Sequence, residues 1–553
     1  MRTSADQPGA RLQYAVHTHR EFLLILVLAV AFRAMAILVF RPGGYLGEMS
    51  DFGYYRLLLS FTNQGFYPLV DFWVEYPPIF PWMLVGLYRL SLLIPAWPEP
   101  GTWFYLLLSA FLMIVEAGNL VLFYNISRRL YGQERATRLS WIYTALLVPV
   151  LTLFVGFDGL SLLFLLWAVL LTLDQRPMGS AVAAGLGFMT KLVPIAAAPA
   201  ALQHMKQRSQ RLKYLVVVSL TVLVIALPFL IAGPDYLIQS LKSPVVRSTW
   251  ETVWALIDGY YSFGVAGGVD RFDPAMAGAA QHPTRLPWTL ITIGFLLFYL
   301  YLYTRRVDWT DRRRTVAFTA LTLNLLTLYF KGYSPQFLIL LLPFLILLIP
   351  GWRGIAYALL LSFVNLVEYP LYFLVLPDEH WLLGGTVLLR TLILVVVTIE
   401  YAAQVYGWRI DGRWWRRVAV VVVVLVAIAG VIGAVAGFQA YRESSYAASS
   451  HRPAMDVLSE PAMAGVTLVT DDLDAYENLY PYLRSHLSLS LVETYDYLPP
   501  WESRLETSAA QSPGEVWIYA PAESPLHEWM SERYPPLATH QFDDWGLSGW
   551  DTR

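Results

Sequence analysis

Four carboxylates crowd the first polar stretch after the first apolar run. Glu48 and Asp51 lie in Gly47-Glu-Met-Ser-Asp-Phe-Gly-Tyr-Tyr-Arg56, Asp71 and Glu75 in Asn63-Gln-Gly-Phe-Tyr-Pro-Leu-Val-Asp-Phe-Trp-Val-Glu-Tyr-Pro-Pro78. Acids just outside an apolar span ionise freely and can meet a solute arriving from water. Ser50 can cap a short helix that starts near Asp51, and on that helix Asp51 and Tyr55 share a face. The four acids lack the spacing of a divalent-ion site, so no metal or other cofactor is expected. Basic residues occupy comparable boundaries. Lys331 opens Lys331-Gly-Tyr-Ser-Pro-Gln336 between two apolar runs, and Lys191 interrupts an apolar stretch, where charge is rare and usually functional. Lys242 and Arg247 precede Trp250, Val253, Trp254, Ile257 and Tyr261, whose spacing predicts an amphipathic helix lying over a membrane with both cations at its start. Arg33 sits inside the first apolar run, where Glu116 or Asn119 are its natural partners. Asp158 begins a turn between two apolar runs. Glu368 and Tyr369-Pro370 fall inside another run and suggest no role.

These residues are set among elements that water would not tolerate. The chain of 553 residues is 56% hydrophobic and 14% charged, against about 45–50% and about 25% in soluble domains. Zero cysteines exclude disulfides and thiolate metal sites. Runs of the length a bilayer requires are expected near 21–40, 103–126, 139–155, 159–174, 213–232, 288–304, 315–330, 336–350, 354–376, 381–402 and 418–438. With a tight pair near 179–190 and 192–203, that makes about 13 transmembrane segments. The first run lacks a small-residue cleavage site and reads as a retained span. The arginine- and lysine-rich stretches are 128–138, 206–213, 305–314 and 409–417. If all four face the cytoplasm, residues 1–20 lie there too, and loops 41–102 and 233–287 lie outside. Pro77 and Pro78 break regular structure, after which 79–93 reads as a surface helix anchored by Trp82, Tyr88 and Arg89. The expected fold is therefore an all-α polytopic membrane protein over 21–440. Residues 441–553 add a small extracytoplasmic α/β domain, with strands near 465–469 and 515–519 and helices near 473–483 and 524–533.

The order of motifs resembles a known family. An acid after the first span (Asp51), a Tyr soon after, Asp71-Phe-Trp-Val-Glu-Tyr-Pro-Pro78, a surface helix and a span ending Arg128-Arg-Leu-Tyr-Gly132 are similar to the GT-C superfamily of membrane glycosyltransferases. The version here looks most like its polyprenol-phosphate-mannose-dependent mannosyltransferase branch. Tyr76 stands where the aminoarabinose and protein-mannosyl branches tend to carry lysine, and Asp51-Phe52 where some relatives carry Asp-Glu.

The resemblance implies an enzyme of the outer face of the cytoplasmic membrane. It would move a sugar, mannose first, from a polyprenyl monophosphate to a hydroxyl of a glycolipid or glycan, with inversion. Its partners would be that lipid-linked donor, the acceptor and membrane lipid, with no nucleic acid. Asp51 would be the general base; Glu48, Tyr55, Asp71, Glu75 and Asp158 would surround the substrate. Lys191, Arg247, Lys331 and Gln336 would line the phosphate side, where cations must meet developing negative charge. No glycine-rich phosphate loop is present. A transporter or flippase of lipid-linked sugars would need the spans but no base, and a non-catalytic assembly partner would work through the tail.

Overall fold

The computed structural model describes residues 17–40, 50–95, 100–262, 264, 270–278, 282–408, 428, 431–433, 435–493, 500–512 and 514–553. The chain divides into two compact units, Met1–Ala429 and Gly430–Arg553.

The first unit is helical. Wherever the expected apolar segments fall in described residues they form helix; 418–438 lies mostly outside them. Among the described residues five helices are long and apolar enough to cross a membrane: Arg20–Phe40, Thr102–Tyr131, Arg208–Ala232, Trp352–Val375 and His380–Tyr406. A sixth span is available if Gln133–Ala145 and Val148–Val155, bent by 49°, count as one. Length and composition thus qualify five or six spans among the described residues, where the sequence suggested about 13 over the whole chain. Punctuation shortens the others. Gly156, Pro177, Pro194 and Pro335 stop or start helices because proline removes a donor and glycine costs backbone entropy. In the Arg208–Ala232 helix only Tyr214 and Ala226 are buried. So long an apolar surface is unstable in water and needs lipid around it, so the chain is a membrane protein.

The unit has two distinct ends. At one, Arg129 pairs with Asp174 at 2.5 Å, Arg135 reaches the Pro350 carbonyl, Arg313 donates to the Leu348 carbonyl and Gln203 to that of Tyr303. Gln133 donates to the Thr18 carbonyl, which puts the start of the first span there too. The basic stretches 128–138 and 305–314 therefore share one end. At the other end, the Asp51 N–H donates to the Val155 carbonyl and the Ile79 N–H to that of Met189. The Pro177–Phe188 helix and the Val193–His204 segment run between the ends, with Lys191 at the turn that joins them.

The helix Ile79–Ser91 buries Phe80, Pro81, Leu84, Val85 and Tyr88 along one face. Tyr88 does not serve as the expected interface anchor, whereas Arg89 is exposed. Tyr88 is buried and accepts a hydrogen bond from Asn63, and Arg89 donates to the Thr62 carbonyl at 2.5 Å. Both brace the loop before the helix; Trp82 stays exposed and donates to the Pro68 carbonyl.

In the second unit a five-stranded sheet has the order β2-β1-β3-β5-β4, with β1 Thr467–Thr470, β2 Ser488–Leu491, β3 Glu515–Pro521, β4 Pro536–Phe542 and β5 Trp545–Asp551. Strands β2, β1 and β3 are parallel, and β5 and β4 add an antiparallel hairpin. The helices Leu473–Leu483 and Pro525–Ser531 follow β1 and β3. The sequence missed the hairpin because its turn carries Asp543, at φ +50°, instead of the Asn-Gly that usually marks such turns.

Candidate functional site

A cavity of about 730 Å³ opens at the end away from the paired arginines. Asp51, Glu75, Lys191, Arg247, Lys331 and Gln336, all singled out from the sequence, line it.

Asp51 precedes the helix Phe52–Ser60, whose first N–H bonds the Ser50 hydroxyl at 3.1 Å. One turn on, the Tyr55 hydroxyl donates to Asp51 Oδ2 at 3.2 Å, and Gln336 Nε2 donates to the same oxygen at 3.3 Å. Burial drives the Asp51 carboxyl up to about 6, with the Asp158 charge adding to the rise. The Gln336 and Tyr55 hydrogen bonds and the Lys191 charge work the other way. A carboxylate so tuned is a proton acceptor near neutral pH. Gln336 is held close because residue 156 is glycine: a Cβ there would come within 2.5 Å of Gln336 Oε1.

Asp158 is 0% exposed and is bridged by Lys191 Nζ at 2.6 Å. Lys191 also stands over the Phe337 ring, 4.1 Å from its centroid. The pair is largely self-neutralised, so Lys191 enters the cavity wall as half of an ion pair.

Lys331 and Arg247 line the same cavity. Lys331 Nζ donates to the Val245 carbonyl at 2.6 Å and stands over Trp288; burial pulls its ammonium down from its ordinary value. One donor is spent on that carbonyl, and an ammonium carries three. Arg247 stacks on Trp250, 4.5 Å from the ring centroid. Its position differs from the expected one. The sequence suggested a helix running through Trp250 with Lys242 and Arg247 at its start. Instead Lys242 lies within the helix Pro234–Val246, Arg247 is its C-cap, and the next helix is only Val253–Asp258, capped by Thr252. Glu251, at φ +50°, breaks the continuity that apolar spacing implied. The Trp250 N–H donates to the Lys331 carbonyl and the Tyr333 N–H to that of Trp250, so the two cationic loops are joined backbone to backbone.

The remaining predicted residues sit differently. Tyr55 supports Asp51 from outside the lining. Asp71 is not in the wall; it accepts the Tyr67 N–H at 2.8 Å and closes its own loop. Asp158 lies beneath Lys191. Glu48 lies outside the described residues. Arg33 faces Glu116 at 3.9 Å inside the bundle, and Asn119 bonds Glu116. Among the described residues no group of three or more His, Asp or Glu side chains could hold a metal ion.

Sequence reasoning missed several neighbours. Arg271 pairs with Glu75 at 2.7 Å, bonds the Tyr54 hydroxyl and stacks on Trp73. It had no signal, because 196 residues separate it from Glu75. Glu251, Trp250, Tyr54 and Tyr76 also line the cavity.

No family model matches the chain, and no curated protein matches it in sequence. Among solved structures it is similar to ArnT from Cupriavidus metallidurans bound to undecaprenyl phosphate, with 13% identity and a TM-score of 0.37 over 96% of this chain and 98% of that one. It is also similar to the oligosaccharyltransferase of Archaeoglobus fulgidus in the apo form, with 10% identity and a TM-score of 0.34 over 96% of this chain and 74% of that one. Likenesses this distant carry no weight for what this chain does, which rests on its own residues.

Proposed function

We propose that the chain is a membrane glycosyltransferase that moves a sugar, mannose first among candidates, from a polyprenyl monophosphate to a hydroxyl of a glycolipid or glycan. Asp51 takes the proton of that hydroxyl as its oxygen attacks the anomeric carbon. The bond from that carbon to the phosphate oxygen breaks, and the phosphate leaves with the electron pair and an added negative charge. Lys331 and Arg247 stabilise that charge; Lys191 contributes less, because Asp158 already neutralises it. A single displacement inverts the anomeric centre. Base catalysis of this kind is worth roughly 10²–10⁴ in rate, and fixed cations at the leaving group add to it. Placing the basic end in the cytoplasm puts the site on the outer face of the cytoplasmic membrane, within reach of lipid-linked sugars.

The observation that carries this reading is the common cavity of Asp51, Lys331 and Arg247, which brings an acid of raised proton affinity together with two cations. The test is a transfer assay in membranes with polyprenyl-phosphate mannose, glucose and arabinose. The reading expects a glycosylated product from at least one donor, and product from none of them contradicts it.

A further inference from the structure

A second group of buried charges stands beside this cavity and takes no part in the chemistry so far. Glu251, Glu368 and Arg390 are 3%, 0% and 3% exposed. Arg390 donates to Glu368 Oε2 and to the Glu251 carbonyl and stacks on the Tyr333 ring at 3.8 Å. Glu251 Oε2 and Glu368 Oε1 are buried and receive no hydrogen bond from another donor among the described residues, yet the two carboxyl groups are within hydrogen-bonding reach of each other. Two carboxyls can bond only when one carries a proton. One guanidinium cannot neutralise two buried carboxylates, and an unpaired buried charge is costly. Burial, and then the Glu368 charge, push the Glu251 carboxyl well above the usual carboxylate range. The proton therefore belongs on Glu251, and the Glu368 carboxyl is the one paired with Arg390.

Glu251 holds this position in a left-handed backbone, φ +50°, a conformation that costs a non-glycine residue of order 1–3 kcal/mol and persists mainly where surroundings impose it. The residue lines the main cavity. It also borders a smaller cavity of about 250 Å³. Its neighbours Trp250 and Thr252 bond the Lys331 backbone carbonyl, and the Asp51 charge is felt at its carboxyl. Glu251 thus lines the same cavity as Asp51, Lys331 and Arg247.

We propose that Glu251 is a specificity residue that presents an uncharged carboxyl to the transferred sugar and hydrogen-bonds one of its hydroxyls, with Glu368 and Arg390 holding it in place. The proposal rests on the glycosyltransferase reading. A neutral acid suits the role, because an ionised one would repel the donor phosphate, whereas an uncharged carboxyl whose proton is turned to Glu368 still accepts from a hydroxyl through its remaining lone pairs. Sites built to bond a hydroxyl discriminate strongly against ligands that lack it.

The test measures binding to the full chain in nanodiscs of polyprenyl phosphate and of its mannosyl, glucosyl and arabinosyl forms. The wild type is expected to bind at least one sugar-bearing lipid about tenfold more tightly than the bare phosphate. Glu251→Gln, uncharged and able to donate and accept, should keep that preference within about threefold. Glu251→Ala should lose most of it while binding bare polyprenyl phosphate as the wild type does. A Glu251→Ala protein that elutes as a folded particle and keeps the full preference overturns the role of Glu251 and leaves the enzyme reading standing. A wild type that binds none of the four lipids overturns both.

Discussion

At Asp51 opposing influences meet on one carboxyl: burial raises its proton affinity, most of all, and the Gln336 amide and Tyr55 hydroxyl oppose the rise. A base works only when ionised, so activity should fall as pH drops through about 6, and kcat/KM against pH should show that limb. Tyr55→Phe removes a hydrogen bond that favours the ionised form, so the midpoint should move to higher pH. An unmoved midpoint would detach this limb from Asp51. The Asp158–Lys191 pair yields a second prediction. Lys191→Met strands a fully buried carboxylate and should cost about 3–5 kcal/mol. Asp158→Asn with Lys191→Met should cost clearly less than the sum of the singles, as thermal unfolding in detergent would show. Asp51 and Lys331 were legible from the sequence because each stands at the edge of an apolar run. Arg271 and Arg390 were not, since their partners lie 196 and 22 residues away and only the fold brings them together.

At the scale of elements, the loop Lys331-Gly332-Tyr333 and the segment around Trp250 form one unit. A Cβ on Gly332 would lie 2.0 Å from the Trp250 ring, and one on Gly264 2.3 Å. The indole thus occupies a slot that two glycines leave open. Gly332→Ala should displace Trp250 and the Arg247 stacked on it, at an overpacking cost of about 1–3 kcal/mol. Donor KM should rise by about tenfold or more, since phosphate contacts add to substrate binding. A variant with wild-type KM would show that the slot does not set the site. Here the sequence misled: helical spacing from Trp250 to Tyr261 predicted a continuous helix, but Glu251 turns the chain and Thr252 starts the helix later. Apolar periodicity records which side chains avoid water. It does not record a backbone turned by tertiary bonds such as those from Arg390 and Lys331.

The first unit is organised by its two ends, one gathering arginines and the other the cavity. Helical segments were legible because lipid demands long apolar runs. Their lengths were less so, because proline and glycine cut several runs below a bilayer's thickness without changing their composition. The ends imply an orientation that cysteine labelling can read, since the native chain has no cysteine. Ser209, beside the basic end, and Ala275, in the loop that carries Arg271, are both exposed. With basic residues inside, an impermeant maleimide should label Ala275→Cys in intact cells and Ser209→Cys only after permeabilisation. The reverse pattern would invert the topology and move the site to the cytoplasm.

In the proposed reaction Asp51 accepts a proton while Lys331 and Arg247 hold a leaving phosphate. The most direct measurement is the rate of sugar transfer by Asp51→Asn beside its affinity for polyprenyl phosphate. The asparagine keeps the shape and loses the base. Transfer should fall by about 10²–10⁴-fold while lipid affinity stays within about threefold. Transfer at the wild-type rate would contradict the account.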